Sequence, residues 1–250
     1  MMIKSNTLTK YLECLLLGDR KACRKIVEET LQKGVPVNTV YLDMIWPIMN
    51  EIDHLSRYDR IKTTEEHMAT RINRTIVDQL QNKLPKRPQR NKRAVICCSQ
   101  DEIHELGAQM LTDLFESDGW EIRFLGGGLN NDDIYGYVNE YGPELLVIYG
   151  TCSKQAPQVR QLIDTIKSVN AWPNLRIMVS GGLFQRAEGL WEEIGADAFA
   201  ANPAEALELS CKNDLPEVER TINRRKRRQE EVKTTPRKRS IGSKLTVTAN

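Results

Sequence analysis

Apolar residues in the first eighty positions recur at helical spacing. Leu8, Leu12, Leu15 and Leu16 share one face, and Ile26, Val27 and Leu31 repeat the pattern. Gly18-Asp19 and Lys33-Gly34-Val35-Pro36 interrupt it; a glycine just past a helix with a proline behind it is an ordinary stop. A third helix is expected from about Thr39 through His54. A fourth begins near Thr63 or Thr64, with Glu66 placed to close a capping box, and runs to about Leu84. Four helices with short connections predict a small bundle over residues 1–84.

The stretch from Lys83 to Arg93 breaks the pattern with two prolines and six basic residues, so residues 85–93 are expected to be a basic linker. Beyond it the period changes. Short apolar runs stand at 94–99, 121–126, 145–150, 176–181 and 198–201, and helical segments lie near 105–118, 131–141, 155–169, 186–194 and 203–210. Strands alternating with helices imply right-handed βαβ units and a parallel sheet. The fold class expected is therefore α/β: a four-helix bundle cap, then a flavodoxin-like (Rossmann-type) five-stranded parallel sheet over residues 94–212. In such sheets ligands lie beyond the carboxyl ends of the strands, where the strand order reverses. That rule singles out five loops: 100–104, 126–130, 150–154, 181–185 and 201–203.

Charge adds one feature. The chain carries a formal +2, yet residues 220–250 hold eleven Lys or Arg against Glu230 and Glu231. Residues 213–250 lack the apolar content to offset the entropy of ordering and are expected to form a disordered basic tail. The six cysteines are scattered without a CxxC pair, which gives neither a zinc site nor a disulfide framework. No apolar run approaches the roughly 18 residues of a membrane span, and the N-terminus lacks a secretory signal. By default the chain is placed in the cytoplasm, with no membrane partner.

Only three histidines are present: His54, His67 and His104. The third follows the first predicted strand, inside a predicted ligand loop, as Glu102-Ile103-His104-Glu105-Leu106-Gly107. After Gly107 come 42 residues, then Gly150-Thr151-Cys152, then 28 more, then Gly181-Gly182. Each element ends a predicted strand. This spaced set resembles the cobalamin-binding domain of methionine synthase, methylmalonyl-CoA mutase and the corrinoid carrier proteins. Their pattern is Asp-x-His-x-x-Gly, Ser-x-Leu and Gly-Gly at such intervals.

The resemblance implies that His104 is the lower axial ligand to the cobalt of a bound cobalamin, in adenosyl or methyl form. It implies that Glu102 takes the other ring N–H, as a carboxylate fixes the tautomer of a metal-bound histidine. Ile103, Gly107, Gly126, Thr151 and Cys152 would line the cofactor, and glycines at 150, 181 and 182 would admit its nucleotide tail. Two departures stand out. Glu102 replaces the usual Asp, and Gly150 stands at the Ser position, with Thr151 or Ser153 available to replace it. Glu at the first position, and Leu125-Gly126-Gly127 after the second strand, resemble the light-responsive cobalamin repressors. Those carry a four-helix cap with a Trp, nine residues, then Glu-His over the upper face. Glu66-His67 matches the Glu-His, while the Trp position is Ser56; Trp46, ten residues earlier, is expected to pack in the bundle.

Three roles follow from these residues. The first is a regulatory sensor of adenosylcobalamin, light-responsive in one version, acting through a protein partner or self-association. The second is a corrinoid methyl carrier serving a methyltransferase. In the third, the basic tail contacts nucleic acid through phosphates. No catalytic residues are expected, because no Ser-His-Asp set, P-loop or zinc motif appears.

Overall fold

The structure is a computed structural model and describes residues 3–169 and 171–211. The predicted tail at 213–250 lies outside the described residues.

Four helical rods form the N-terminal part, as expected. α1 (Ser5–Leu16) and α2 (Arg20–Gln32) meet at Gly18, and Asp19 caps α2 by accepting from the Lys21 and Ala22 N–H groups. The third rod starts earlier than its apolar pattern suggested, directly after Pro36. It comprises α3 (Val37–Val40), a π-helical stretch (Tyr41–Ile45) and α4 (Trp46–Arg57), joined without a break. The π stretch has a local cause. Pro47 has no N–H and its ring would strike the carbonyl four residues back, and one wide turn relieves both.

α5 (Thr63–Gln81) is capped by Glu65, whose carboxylate accepts the Lys62 N–H at 2.7 Å. The capping carboxylate expected at Glu66 is thus one residue earlier, leaving Glu66 available elsewhere. Tyr11 donates to the buried Asn73 at 2.7 Å, tying α1 to α5, and Trp46 is buried in the bundle as anticipated.

The second part is a five-stranded, wholly parallel sheet in the order β2-β1-β3-β4-β5. Its strands are β1 (Arg93–Cys98), β2 (Glu121–Gly126), β3 (Leu145–Tyr149), β4 (Arg176–Ser180) and β5 (Ala198–Ala200). The helices are α6 (Leu106–Ser117), α7 (Asn131–Tyr141), α8 (Ala156–Val169), α9 (Gly182–Arg186), α10 (Leu190–Glu193) and α11 (Pro203–Cys211). The helix expected near 186–194 is two short ones, because Gly189 takes a left-handed conformation between them. Val95, Cys97, Leu146, Ile148, Ile177 and Val179 pack under Ile134 and Val138 of α7 and Val159, Leu162 and Ile163 of α8. On the other side α6 covers β1 and β2 and meets α11. β1 and β3 are buried on both faces, which is why they read as unbroken apolar runs.

Residues 85–93 are irregular, as their composition predicts, yet they are fastened down. Arg87 and Arg90 both pair with the carboxylate of Asp118, itself nearly buried, at 2.7 and 2.8 Å. Their backbone N–H groups bond the Ser117 and Gly119 carbonyls. A side chain at Gly119 would strike the Pro88 carbonyl. The segment is therefore a strap over the turn between α6 and β2. It does not separate two compact units, since the described residues on both sides of it fall in one. α5 completes that unit by packing on α6. At this junction the Tyr41 hydroxyl lies 3.0 Å from both the Asp113 carboxyl and the Val77 carbonyl.

Candidate functional site

The strand order places β1 between β2 and β3, so the reversal in winding falls between β1 and β3. The loops leaving those two strands must diverge there and open a crevice. One carries His104 and the other Thr151. Across the crevice lies the cap: Met49, Asn50, Ile52 and Asp53 of α4 and Glu66 and Thr70 of α5 face His104, Leu106, Tyr149, Thr151 and Gly182. The cavity between them is small, about 50 Å³, and opens to solvent.

Glu102 is the buried centre of the crevice floor, only 4 % exposed. Its carboxylate accepts from the His104 backbone N–H at 2.8 Å, the Thr151 N–H at 2.6 Å and the Thr151 hydroxyl at 2.9 Å. These three donors satisfy a buried carboxyl group that would be very costly to leave unpaired. The sequence-based assignment of Glu102 to the imidazole ring is corrected here: it holds the backbone of His104 instead. A glutamate is long enough to turn back to the N–H two residues on, and Thr151 fills the rest of its coordination. Thr151 also answers the question left by Gly150, because a hydroxyl meets the carboxylate from one position further along.

The His104 ring stands at the crevice mouth, its side chain 39 % exposed, with Nε2 3.8 Å from a Glu66 carboxylate oxygen. Glu66 is held by the Ser56 hydroxyl at 2.5 Å. Ser56, the residue at the expected Trp position, thus orients the acid that faces the histidine. His67 is exposed and does not line the crevice, so the Glu-His pair is split. Ile103 is an exposed lip residue and Cys152 is exposed beside Thr151.

The glycines divide by role. Gly181 has φ of 102°, and a side chain there would come within 2.4 Å of the Gly150 carbonyl, so two loops touch backbone to backbone. At Gly182 a Cβ would meet the Arg186 guanidinium, which reaches across to Asp53 at 3.1 Å and to the Thr151 carbonyl. Gly107 makes room for the Tyr149 ring under α6, a packing role, and Gly126 takes a left-handed turn away from the crevice. Its neighbour Gly127 donates to Glu105 at 2.8 Å, and Glu105 pairs with Arg74 of the cap at 3.1 Å.

Sequence reasoning missed Tyr149, Asp53 and Arg186. Tyr149 ended a strand like any apolar residue, and the Asp53–Arg186 pair spans 133 positions. Burial, helped by the nearby Glu102 charge, pushes the Tyr149 phenol above its ordinary range, so it lines the crevice as a neutral group.

The donor set can be tested against a corrinoid. Among the described residues no three His, Cys, Asp or Glu side chains come together to hold a bare ion. A metal at His104 must bring its other ligands with it, as a corrin does. The ring is accessible from the crevice, its backbone is anchored, and the Gly150–Gly181 contact admits no side chain. These features fit.

A doubly wound sheet under a helical cap, with one accessible imidazole at the winding reversal, defines a cofactor-binding protein of the flavodoxin-like class. Residues 92–209 match the B12 binding domain, and residues 7–81 match a second B12 binding domain description that covers the cap. The chain belongs to the B12-binding domain family and binds cobalamin. It is 21 % identical over 215 residues to monomethylamine corrinoid protein 2 of Methanosarcina acetivorans, covering 84 % of this chain and 98 % of that one. It is 21 % identical over 182 residues to dimethylamine corrinoid protein 3 of the same organism, covering 72 % and 79 %. The fold superposes on the monomethylamine corrinoid protein of Methanosarcina barkeri with a TM-score of 0.73, at 21 % identity, over 80 % of this chain and 95 % of that one. No described helix is long and apolar enough to cross a membrane.

Proposed function

We propose that the protein is a corrinoid methyl carrier, in which His104 coordinates the cobalt of a bound cobalamin from below and a partner methyltransferase adds and removes the methyl group. The observation that carries this reading is the anchored, solvent-facing imidazole at the winding reversal, under a cap whose edge reaches it through Glu66 and Asp53. Bound cobalamin supplies a metal that accepts and gives up a methyl group. The chain's own residues bind and orient. Glu102 and Thr151 fix the backbone of His104, Glu66 faces its ring, and Tyr149 and Leu106 give the crevice apolar walls.

Cobalamin is larger than a drug-sized ligand, for which pockets run to about 300–1,000 Å³. The cap edge must therefore yield to admit it. The contacts that would part are the Asp53–Arg186 ion pair, contributing about 1 kcal/mol or less, and the 3.8 Å contact of Glu66 with the His104 ring. The two relatives named above, a monomethylamine and a dimethylamine corrinoid protein, support the carrier reading over a light sensor. Ser56 at the place where the sensors hold a Trp points the same way.

The test is to load the protein with methylcobalamin and add a corrinoid:thiol methyltransferase with a thiol acceptor. Stoichiometric thioether and loss of the methylcobalamin spectrum are expected. Tight binding with no methyl release would overturn the carrier role, and no binding would overturn the site.

A further inference from the structure

Ser99 and Gln155 are two of the few buried polar residues, 3 % and 6 % exposed, and they bond each other directly beneath the crevice. The Ser99 hydroxyl donates to Gln155 Oε1 at 2.8 Å, and the same oxygen accepts the Cys152 N–H at 3.2 Å. Ser99 is also engaged through its backbone. Its N–H continues the sheet to the Tyr149 carbonyl at 2.8 Å, and its carbonyl accepts the Glu102 N–H at 3.0 Å. One residue thus joins the loop that bears His104 to the loop that bears Thr151.

The two loops are cross-linked twice: at the crevice by Glu102–Thr151, and below it by Ser99–Gln155. The upper link holds the His104 backbone. The lower link holds the frame from which the upper one is built. Gly150 completes the arrangement, because a Cβ there would lie 3.1 Å from the Ser99 hydroxyl. A hydroxyl at 99 and a side chain at 150 therefore compete for one space, and this chain has the hydroxyl at 99 and glycine at 150.

We propose that Ser99 and Gln155 form a positioning pair that sets where the His104 imidazole stands, and so how firmly it coordinates cobalt. The proposal rests on His104 being the axial ligand. Neither side chain touches the crevice; both act through the loops. Breaking the lower link frees the 150–155 loop, lets Thr151 drift from Glu102, and loosens the N–H anchor of His104.

The experiment uses the full chain with methylcobalamin bound, as wild type, Ser99→Ala, Gln155→Met, the double variant and His104→Ala. Each is titrated from pH 8 to pH 4 while the visible spectrum reports loss of the nitrogen ligand. Ser99→Ala and Gln155→Met should each raise the midpoint by about half to one pH unit, a three- to tenfold weaker coordination on the scale of one hydrogen bond. The double variant should shift no further than Gln155→Met alone, because that variant already breaks the Ser99 bond together with the Cys152 one. Wild-type midpoints in both variants, or shifts that simply add, would overturn the proposal while leaving the axial ligand intact. If His104→Ala titrates like the wild type, the axial reading fails and the pair has nothing to position. Far-UV circular dichroism checks folding, and if one variant misfolds, the other still decides.

Discussion

Replacing Asp113 with asparagine tests the junction between cap and sheet. The Tyr41 hydroxyl has a single proton and two oxygens at 3.0 Å, the Val77 carbonyl and the Asp113 carboxyl. Tyr41 shares that proton between them as the donor to both, and the buried carboxyl beside it is costly to ionise. Burial is the main force pushing this carboxyl up, from 3.8 to about 6; the Tyr41 bond lowers it, while the nearby Glu116 and Asp78 add to the rise. A folded-state value above the unfolded one means that folding takes up a proton. That stability is complete below about pH 4, declines as pH rises, and is gone above about pH 6.

About two pH units at 1.36 kcal/mol each make the difference roughly 3 kcal/mol. An asparagine carries no charge to desolvate at any pH, and its Oδ1 can still accept from Tyr41. In urea denaturation of the cofactor-free protein, Asp113→Asn should match the wild type near pH 4 and exceed it by about 2–3 kcal/mol at pH 7.5. A stability difference that stays constant across that range, or a variant weaker at pH 7.5, would refute the buried-acid account.

Two further substitutions probe the frame. Gly181→Ala places a methyl group against the Gly150 carbonyl at a φ of 102°, so it should cost more than about 2 kcal/mol and lower the melting temperature by several degrees; an unchanged melting curve would mean that the two loops can move apart freely. Asp118→Ala leaves Arg87 and Arg90 without their shared carboxylate, so trypsin should cut after Arg90, though not after Arg87, which Pro88 follows, several-fold faster than in the wild type. Unaltered cleavage would show that the strap is held by its backbone bonds alone.

Much of this architecture was legible because it follows from periodicity. The change from helical spacing before Lys83 to short apolar runs after Arg93 marked the passage from bundle to sheet, and the buried strands β1 and β3 read as unbroken apolar segments. His104 and the Gly150 and Gly181 positions were legible for a related reason: the intervals between them are the lengths of βαβ units. What the sequence did not reveal depends on the third dimension. Glu102 and Thr151 meet across 49 positions, Ser99 and Gln155 across 56, and Asp53 and Arg186 across 133. No periodicity connects such pairs. The Glu66-His67 motif misled in part, because adjacent residues on a helix point about 100° apart, so only one of them can face the crevice. The linker misled for another reason. Prolines and basic residues predict irregular backbone, and irregular backbone can still be pinned by a single buried carboxylate.

The central claim is that His104 binds cobalt, and electron paramagnetic resonance tests it most directly. The protein is grown with 15N-histidine, loaded with unlabelled cobalamin and reduced by one electron to the cobalt(II) state. An axial nitrogen from the cofactor's own base, being 14N, splits each cobalt line into three; a 15N imidazole splits it into two. The account predicts doublets in the wild type and their loss in His104→Ala. Triplets in the labelled wild type, or doublets that persist without His104, would contradict it.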